Sequence, residues 1–133
     1  LLSLDIDGND YWILKSITVC SPRVIICETH DIIPSELSLT MPYNPKFKYQ
    51  DLPEDVKDYR SVSLLAMTKL CKEKGYRLIG SHKYGFNVIF MRNDVGVDFF
   101  PEVSIESVHN NPWTIYGQKD RWEKVKHLNW EEV

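Results

Sequence analysis

No Gly-x-Gly string occurs anywhere in this sequence. Its glycines are scattered at Gly8, Gly75, Gly80, Gly85, Gly96 and Gly117, so no glycine-rich, phosphate-cradling turn is encoded in it. There is no CxxC pair either, and three cysteines, Cys20, Cys27 and Cys71, do not suggest a disulfide framework. Cys27 falls in the apolar run Val24-Ile25-Ile26-Cys27, where a small buried hydrophobe is expected. A reducing, cytoplasmic setting is the expectation that follows. No apolar run approaches the roughly 20 residues that span a bilayer, so no membrane role is expected, and no charged segment leads into an apolar one as in a signal peptide. Basic charge is not in excess. Sixteen Lys and Arg stand against nineteen Asp and Glu, a formal net charge of −3, which argues against a nucleic-acid partner.

What is present reads as one globular unit or part of one. Hydrophobic residues make up 43% of the 133 and charged residues 26%. The chain opens Leu1-Leu2-Ser3-Leu4, as if inside a β-strand, and the expectation is a fragment of a longer protein. Leu1 to Ile6 reads as a short strand ending in acids. Asn9 or Asp10 can cap a helix from about Tyr11 to Thr18. Arg23 to Glu28 is a β-branched run of the kind buried on both sheet faces. Strand, short helix and strand make a parallel βαβ unit.

Residues 29–60 show little periodicity and contain Pro34, Pro42, Pro45 and Pro53, so a long functional loop is expected there. Ser61 or Ser63 can cap a second helix ending near Lys74, where Leu64, Met67, Leu70 and Cys71 recur at helical spacing and Gly75 supplies the stop. Tyr76 to Ser81 and Asn87 to Met91 then form an antiparallel hairpin. The division expected is a body of residues 1–97 and a tail of residues 98–133. That tail is irregular except for a helix from Gln118 to His127, and Trp113, Trp122 and Trp130 dock it.

Chemistry concentrates at the ends of the first two strands. In Leu4-Asp5-Ile6-Asp7-Gly8-Asn9-Asp10-Tyr11, three carboxylates fall within six residues, and the next strand ends in Glu28, His30 and Asp31. Open α/β sheets bind ligands beyond the carboxyl ends of their strands. If the two strands are neighbours, both clusters rim one crevice that can hold a divalent cation or deprotonate a hydroxyl. His30 is the candidate general base, and Asp10 is the acid best suited to a purely capping role. His82, His109 and His127 have no partner pattern.

Three families offer partial matches. Leu2-Ser3-Leu4-Asp5-Ile6-Asp7-Gly8 looks like the first motif of haloacid-dehalogenase-type phosphatases, which would make Asp5 the nucleophile and Asp7 the acid/base. No later strand carries the acids that this reading needs, since Asn87 to Met91 ends in Arg92-Asn93-Asp94. A calcium loop of EF-hand type is excluded, because Asp10 stands where its turn glycine belongs. The best match is to FkbM-like S-adenosylmethionine-dependent methyltransferases. Leu4 to Tyr11 resembles their Asp-Val-Glu-Gly-x-Glu string, and also an Asp-Gly-Asp-x-Tyr string of macrocin-type O-methyltransferases. The downstream elements follow in the family's order. Lys74-Gly75-Tyr76-Arg77-Leu78 and Gly85-Phe86-Asn87-Val88-Ile89-Phe90 are phrases similar to the family's.

This resemblance covers residues 1–93 and implies the C-terminal half of a Rossmann-like methyltransferase sheet, a parallel βαβ unit followed by an antiparallel hairpin. The implied activity is methyl transfer from S-adenosylmethionine to an oxygen of a sugar, glycan or other small acceptor. Asp5, Asp7 and His30 would be catalytic, Asn9, Asp10 and Tyr11 would bind substrate, and Asp7 and Glu28 would hold magnesium. The family's glycine-rich cofactor turn has no counterpart here, so this chain alone is expected to bind the cofactor weakly or not at all. A non-catalytic remnant or interaction module is the alternative. The half-sheet leaves an unpaired edge near Leu1, through which a homodimer is expected to form.

Overall fold

The computed structural model describes residues 1–133. Its elements run β1 (Leu2–Leu4), α1 (Asp10–Ser16), β2 (Val24–Glu28), β3 (Leu39–Thr40), α2 (Leu64–Glu73), β4 (Tyr76–Ser81), β5 (Asn87–Arg92), α3 (Ile105–His109), α4 (Pro112–Val125) and β6 (Glu131–Glu132). A mixed α/β architecture results. The main sheet has the order β1-β2-β5-β4. β1 and β2 are parallel, with Leu4 beside Cys27. β5 is antiparallel to both β2 and β4. The parallel pair therefore sends both carboxyl ends to one edge of the sheet, and β5 sends its own to the opposite edge.

Helix α2 is the sequence expectation realised. The Ser63 hydroxyl accepts the Ala66 amide, and Gly75 closes the helix at φ 87°, a conformation that costs glycine nothing. Its apolar stripe, Leu64, Met67, Leu70 and Cys71, packs against Ile25, Cys27, Leu78, Val88 and Phe90 of the sheet. Burial of side chains this size contributes roughly 1.5–3 kcal/mol each, and this layer is the main core.

Strand β2 departs from expectation. Ile25 and Cys27 are fully buried, whereas Val24 and Ile26 are only half covered. The alternation arises because the second face of the sheet is only partly covered, so hydrophobicity beyond what one face demands does not produce two-sided burial.

The tail also differs. It is helical from Pro112, not from Gln118, with a further short helix at Ile105–His109. Pro112 sits in the first turn, where its missing amide costs nothing, and the Asn111 side chain caps the Thr114 amide. Gly117 lies inside α4 because a Cβ there would press on Ile32. Trp122 and Trp130 dock the tail on Ile32, Ile33 and Tyr59, and β6 pairs with β3. Trp113 meets the body only at its margin, with its ring 5.8 Å from that of Tyr84, and stays 47% exposed. No helix is long and apolar enough to cross a membrane.

Candidate functional site

The turn after β1 is built by Asp10. Its carboxylate accepts the backbone amides of Ile6 at 3.0 Å and Gly8 at 2.9 Å, and the side chain is fully buried. Burial raises the Asp10 carboxyl above the ordinary range, against the downward pull of those amide bonds. Asp10 thus shapes the turn, and Tyr11 belongs to the core, so neither is free to meet a substrate. Asn9 occupies the cap position of α1 without capping it. Its side chain instead exchanges two hydrogen bonds with the backbone of Asn44.

The long loop comes to this turn as a strap. A Cβ at Gly8 would collide with the Phe47 ring, and Trp12 donates its indole N–H to the Met41 carbonyl at 2.9 Å. Arg60 forms an ion pair with Asp7 and lies 4.2 Å from the centre of the Tyr49 ring. Asp7, at φ 57°, and Ser61, the residue after Arg60, at φ 61°, sit on left-handed backbone. Non-glycine residues rarely adopt that conformation, and it tends to collect at functional sites.

The end of β2 lies alongside. Glu28, His30, Asp31, Arg60, Phe86, Trp113 and Arg121 line a pocket of about 110 Å³. Glu28 is 8% exposed and Asp31 3%, and one carboxyl oxygen of each is buried without a hydrogen-bond partner. The Glu28 carboxyl is pushed up to about 8, first by burial and then by the negative charges of Asp5 and Asp10, with Arg60 opposing. It therefore holds its proton at neutral pH. His30 Nε2 lies 2.8 Å from the Asp58 carbonyl. A carbonyl only accepts, so Nε2 carries the hydrogen, and Nδ1 faces Asp31 at 3.7 Å. Asp58 meets Arg121 through both carboxylate oxygens. Burial pushes the Asp58 carboxyl up, but the Arg121 guanidinium holds it below its ordinary value.

Of the residues singled out in the sequence, Glu28 and His30 meet in the pocket. Asp7 stands behind Arg60, and Asp5 is exposed at the rim, where its charge reaches Glu28. Magnesium does not suit this arrangement. No group of three or more side chains is set to hold a cation, Asp7 is committed to Arg60, and two guanidiniums share the pocket. This pocket is small for the cofactor. The pocket is well below the roughly 300–1,000 Å³ of ordinary small-molecule sites, and no glycine-rich turn adjoins it.

Sequence reading missed Arg60, Asp58, Arg121, Phe86 and Trp113. Arg60 and Asp58 lie in the aperiodic loop and Arg121 lies on a tail helix, so no local pattern joins them. The exposure of Trp113 was hidden by its resemblance to the two docking tryptophans. No protein-family model, curated protein or solved structure matches this chain.

Proposed function

We propose that this chain carries the acceptor side of an S-adenosylmethionine-dependent methyltransferase-like fold, acting on an oxygen of a small polar acceptor. One observation carries the reading. Two parallel strands end side by side in Asp5–Asp10 and Glu28–Asp31, and the chain then closes with α2 and an antiparallel pair, in the order that the family resemblance requires. When bound, the cofactor would supply the methyl group as an electrophile. The acceptor's hydroxyl must then give up a proton. Glu28, whose carboxyl titrates near 8, is matched to receive it in mildly alkaline solution. His30 and Asp31 flank it.

The interaction-module reading draws on the lack of a Gly-x-Gly string in the sequence. The phosphatase reading has less support, because Asp7 is tied to Arg60 and β5 delivers Asp94 to the far edge of the sheet. A reducing, cytoplasmic setting and self-association through the unpaired edge of β1 are parts of the proposal. A monomer in sedimentation velocity would remove the self-association.

Calorimetric titration of S-adenosylmethionine into the chain, with and without magnesium, tests the central claim. Saturable binding supports a methyltransferase. Its absence under both conditions favours the interaction module.

A further inference from the structure

The long loop and the tail meet in a second polar cluster. Ser35 belongs to the loop, His109 is the last residue of α3, and Gln118 lies on α4. The Ser35 hydroxyl is 2.8 Å from His109 Nδ1, across 74 residues of sequence. Both line an open hollow of about 450 Å³, together with Glu106, Asn110, Ile115 and Gln118. We propose that Ser35 is an acyl-accepting nucleophile with His109 as its general base, and that this hollow hydrolyses small uncharged carboxylic esters. The proposal does not rest on the methyltransferase reading, which uses the pocket of Glu28.

A base for Ser35 must offer a lone pair at Nδ1, and the Gln118 side chain decides whether it does. The amide nitrogen of Gln118 lies 3.5 Å and 3.4 Å from the carbonyls of Asp31 and Ile33, and 3.3 Å from His109 Nδ1. The two carbonyls identify that atom as the nitrogen, and a nitrogen that donates repels an N–H set opposite it. Nδ1 therefore accepts, the Ser35 O–H donates to it, and Nε2 carries the ring hydrogen. Burial holds the imidazole below the ordinary histidine value, against the charges of Asp31, Glu106 and Glu36, so the ring is neutral and able to take a proton at neutral pH. Its Nε2 is buried without an acceptor, and Asp31 keeps a buried carboxylate oxygen without a donor. Of the charges acting on His109, that of Asp31 is the largest. It favours the imidazolium that forms when Ser35 gives up its proton, as the third member of a nucleophile–base–acid set does. A contact that only tied loop to tail would be expected to satisfy both ring nitrogens.

The reaction balances with water as the only co-reactant. Ser35 Oγ adds to the ester carbonyl carbon while its proton passes to Nδ1. The bond to the leaving oxygen breaks, that oxygen takes the proton from Nδ1, and an alcohol departs. Water then adds to the acyl-serine and gives a proton to Nδ1. The bond between Ser35 and the acyl group breaks, Ser35 takes the proton back, and a carboxylic acid is released. Each addition puts negative charge on the carbonyl oxygen. Of the neutral side-chain donors around the hollow, Ser107 is spent on the Ser104 carbonyl and Gln118 on Asp31 and Ile33, which leaves the Asn110 amide to meet that charge. The choice of substrate follows from the walls. Ile115 supplies an apolar surface. The Glu106 carboxyl is held low by its own backbone amide and by Ser104, so it is anionic at neutral pH and disfavours an anionic ester.

The test uses the full 133-residue chain with its exposed thiol removed, Cys20→Ser, so that no accessible sulfur competes for the probes. The probes are p-nitrophenyl acetate and an uncharged alkyl fluorophosphonate, whose phosphorus bonds a nucleophilic serine oxygen and loses fluoride. Tandem mass spectrometry is expected to find the phosphonyl group on Ser35. Hydrolysis of the ester is expected to fall about a hundredfold in Ser35→Ala, the lower end of what a nucleophile with a positioned base supplies. Ser35 is half-buried and on a loop, so that variant should keep its fold, which circular dichroism checks. Asn110→Ala, at an exposed position, is expected to lower the rate about tenfold, the loss of one hydrogen bond to a charged oxygen. The rate should stay level from neutral pH to below pH 6.5 and then fall as His109 takes its proton. Asp31→Asn should carry that fall to lower pH still, because the Asp31 charge raises the imidazole value; a merely structural Asp31 would leave the profile where it is. A phosphonyl group absent from Ser35 would overturn the proposal. So would a Ser35→Ala chain that hydrolyses the ester as fast as its parent, or a rate with no fall on the acid side. S-adenosylmethionine takes no part in these assays, so their failure leaves the methyltransferase reading where it stands.

Discussion

The two edges of the main sheet handle buried charge in opposite ways. At the edge where β4 begins, Arg77 is 8% exposed and has no carboxylate partner. Its guanidinium donates to the carbonyls of Arg92, Val95 and Phe100, at 2.8–3.1 Å. Every bond there closes a stretch of backbone, and each of the three guanidinium nitrogens has an acceptor. At the edge where β1 and β2 end, Arg60 and Arg121 are paired with acids, yet Glu28, Asp31, Arg60 and Ser61 all retain buried polar atoms without partners. Buried polar groups are nearly always satisfied where their task is structural. The saturated edge holds the fold together, and the unsaturated edge is where an external group has something to bond.

The largest expected effect breaks the saturated edge. Arg77→Met keeps the volume but removes four hydrogen bonds and leaves the Val95 and Phe100 carbonyls without a protein donor, and it should lower stability by roughly 3–5 kcal/mol. Urea unfolding measures this, and a loss below 1 kcal/mol would show that the 92–100 segment does not depend on the clamp.

The next acts on the unsaturated edge and has the opposite sign. The folded protein holds the Glu28 proton up to about 8, whereas the unfolded chain releases it near the ordinary glutamate value. Stability attributable to Glu28 is therefore greatest below the unfolded value. It falls as pH rises toward about 8 and is flat above that. Glu28→Gln removes the cost of burying this charge and should stabilise the protein by roughly 2–4 kcal/mol at pH 9, with little change at pH 4. Thermal melts at the two pH values check the sign. Destabilisation at pH 9 would mean that the carboxylate is solvated or paired.

The smallest effect concerns Asp58, whose carboxyl is held low by Arg121. Its contribution is present above the ordinary aspartate value and lost as pH falls through the lowered one. Asp58→Asn should cost about 1–2 kcal/mol at pH 7, less than a fully buried pair because Asp58 is partly exposed. The difference from the unsubstituted chain should vanish in acid. A cost that persists at pH 2 would assign Asp58 a packing role instead.

Much of the fold was legible because the information is local. The Ser63 cap, the stripe from Leu64 to Cys71, the Gly75 stop and the strands at 76–81 and 87–92 each rest on residues close in sequence. The start of α4 was less legible, since Pro112 and Gly117 are both helix breakers out of context. One admits the first turn and the other admits Ile32, and only packing shows which effect prevails. At the candidate site, Glu28 and His30 were visible as a strand end, but their cationic and aromatic surroundings were not.

By itself the sequence determined which segments are strands and helices, that the first two strands are parallel, and that both end in acids. Periodicity, caps and the short crossover act within a few residues of one another, which makes those features independent of the rest of the molecule. Tertiary structure alone decided what those acids do. It gave Asp7 to Arg60, 53 residues away in sequence, and it left Glu28 and Asp31 without donors, whereas Asp10 bonds the amides of its own turn. A carboxylate's chemistry depends on which groups share its burial, and for Asp7, Glu28 and Asp31 those groups come from distant segments.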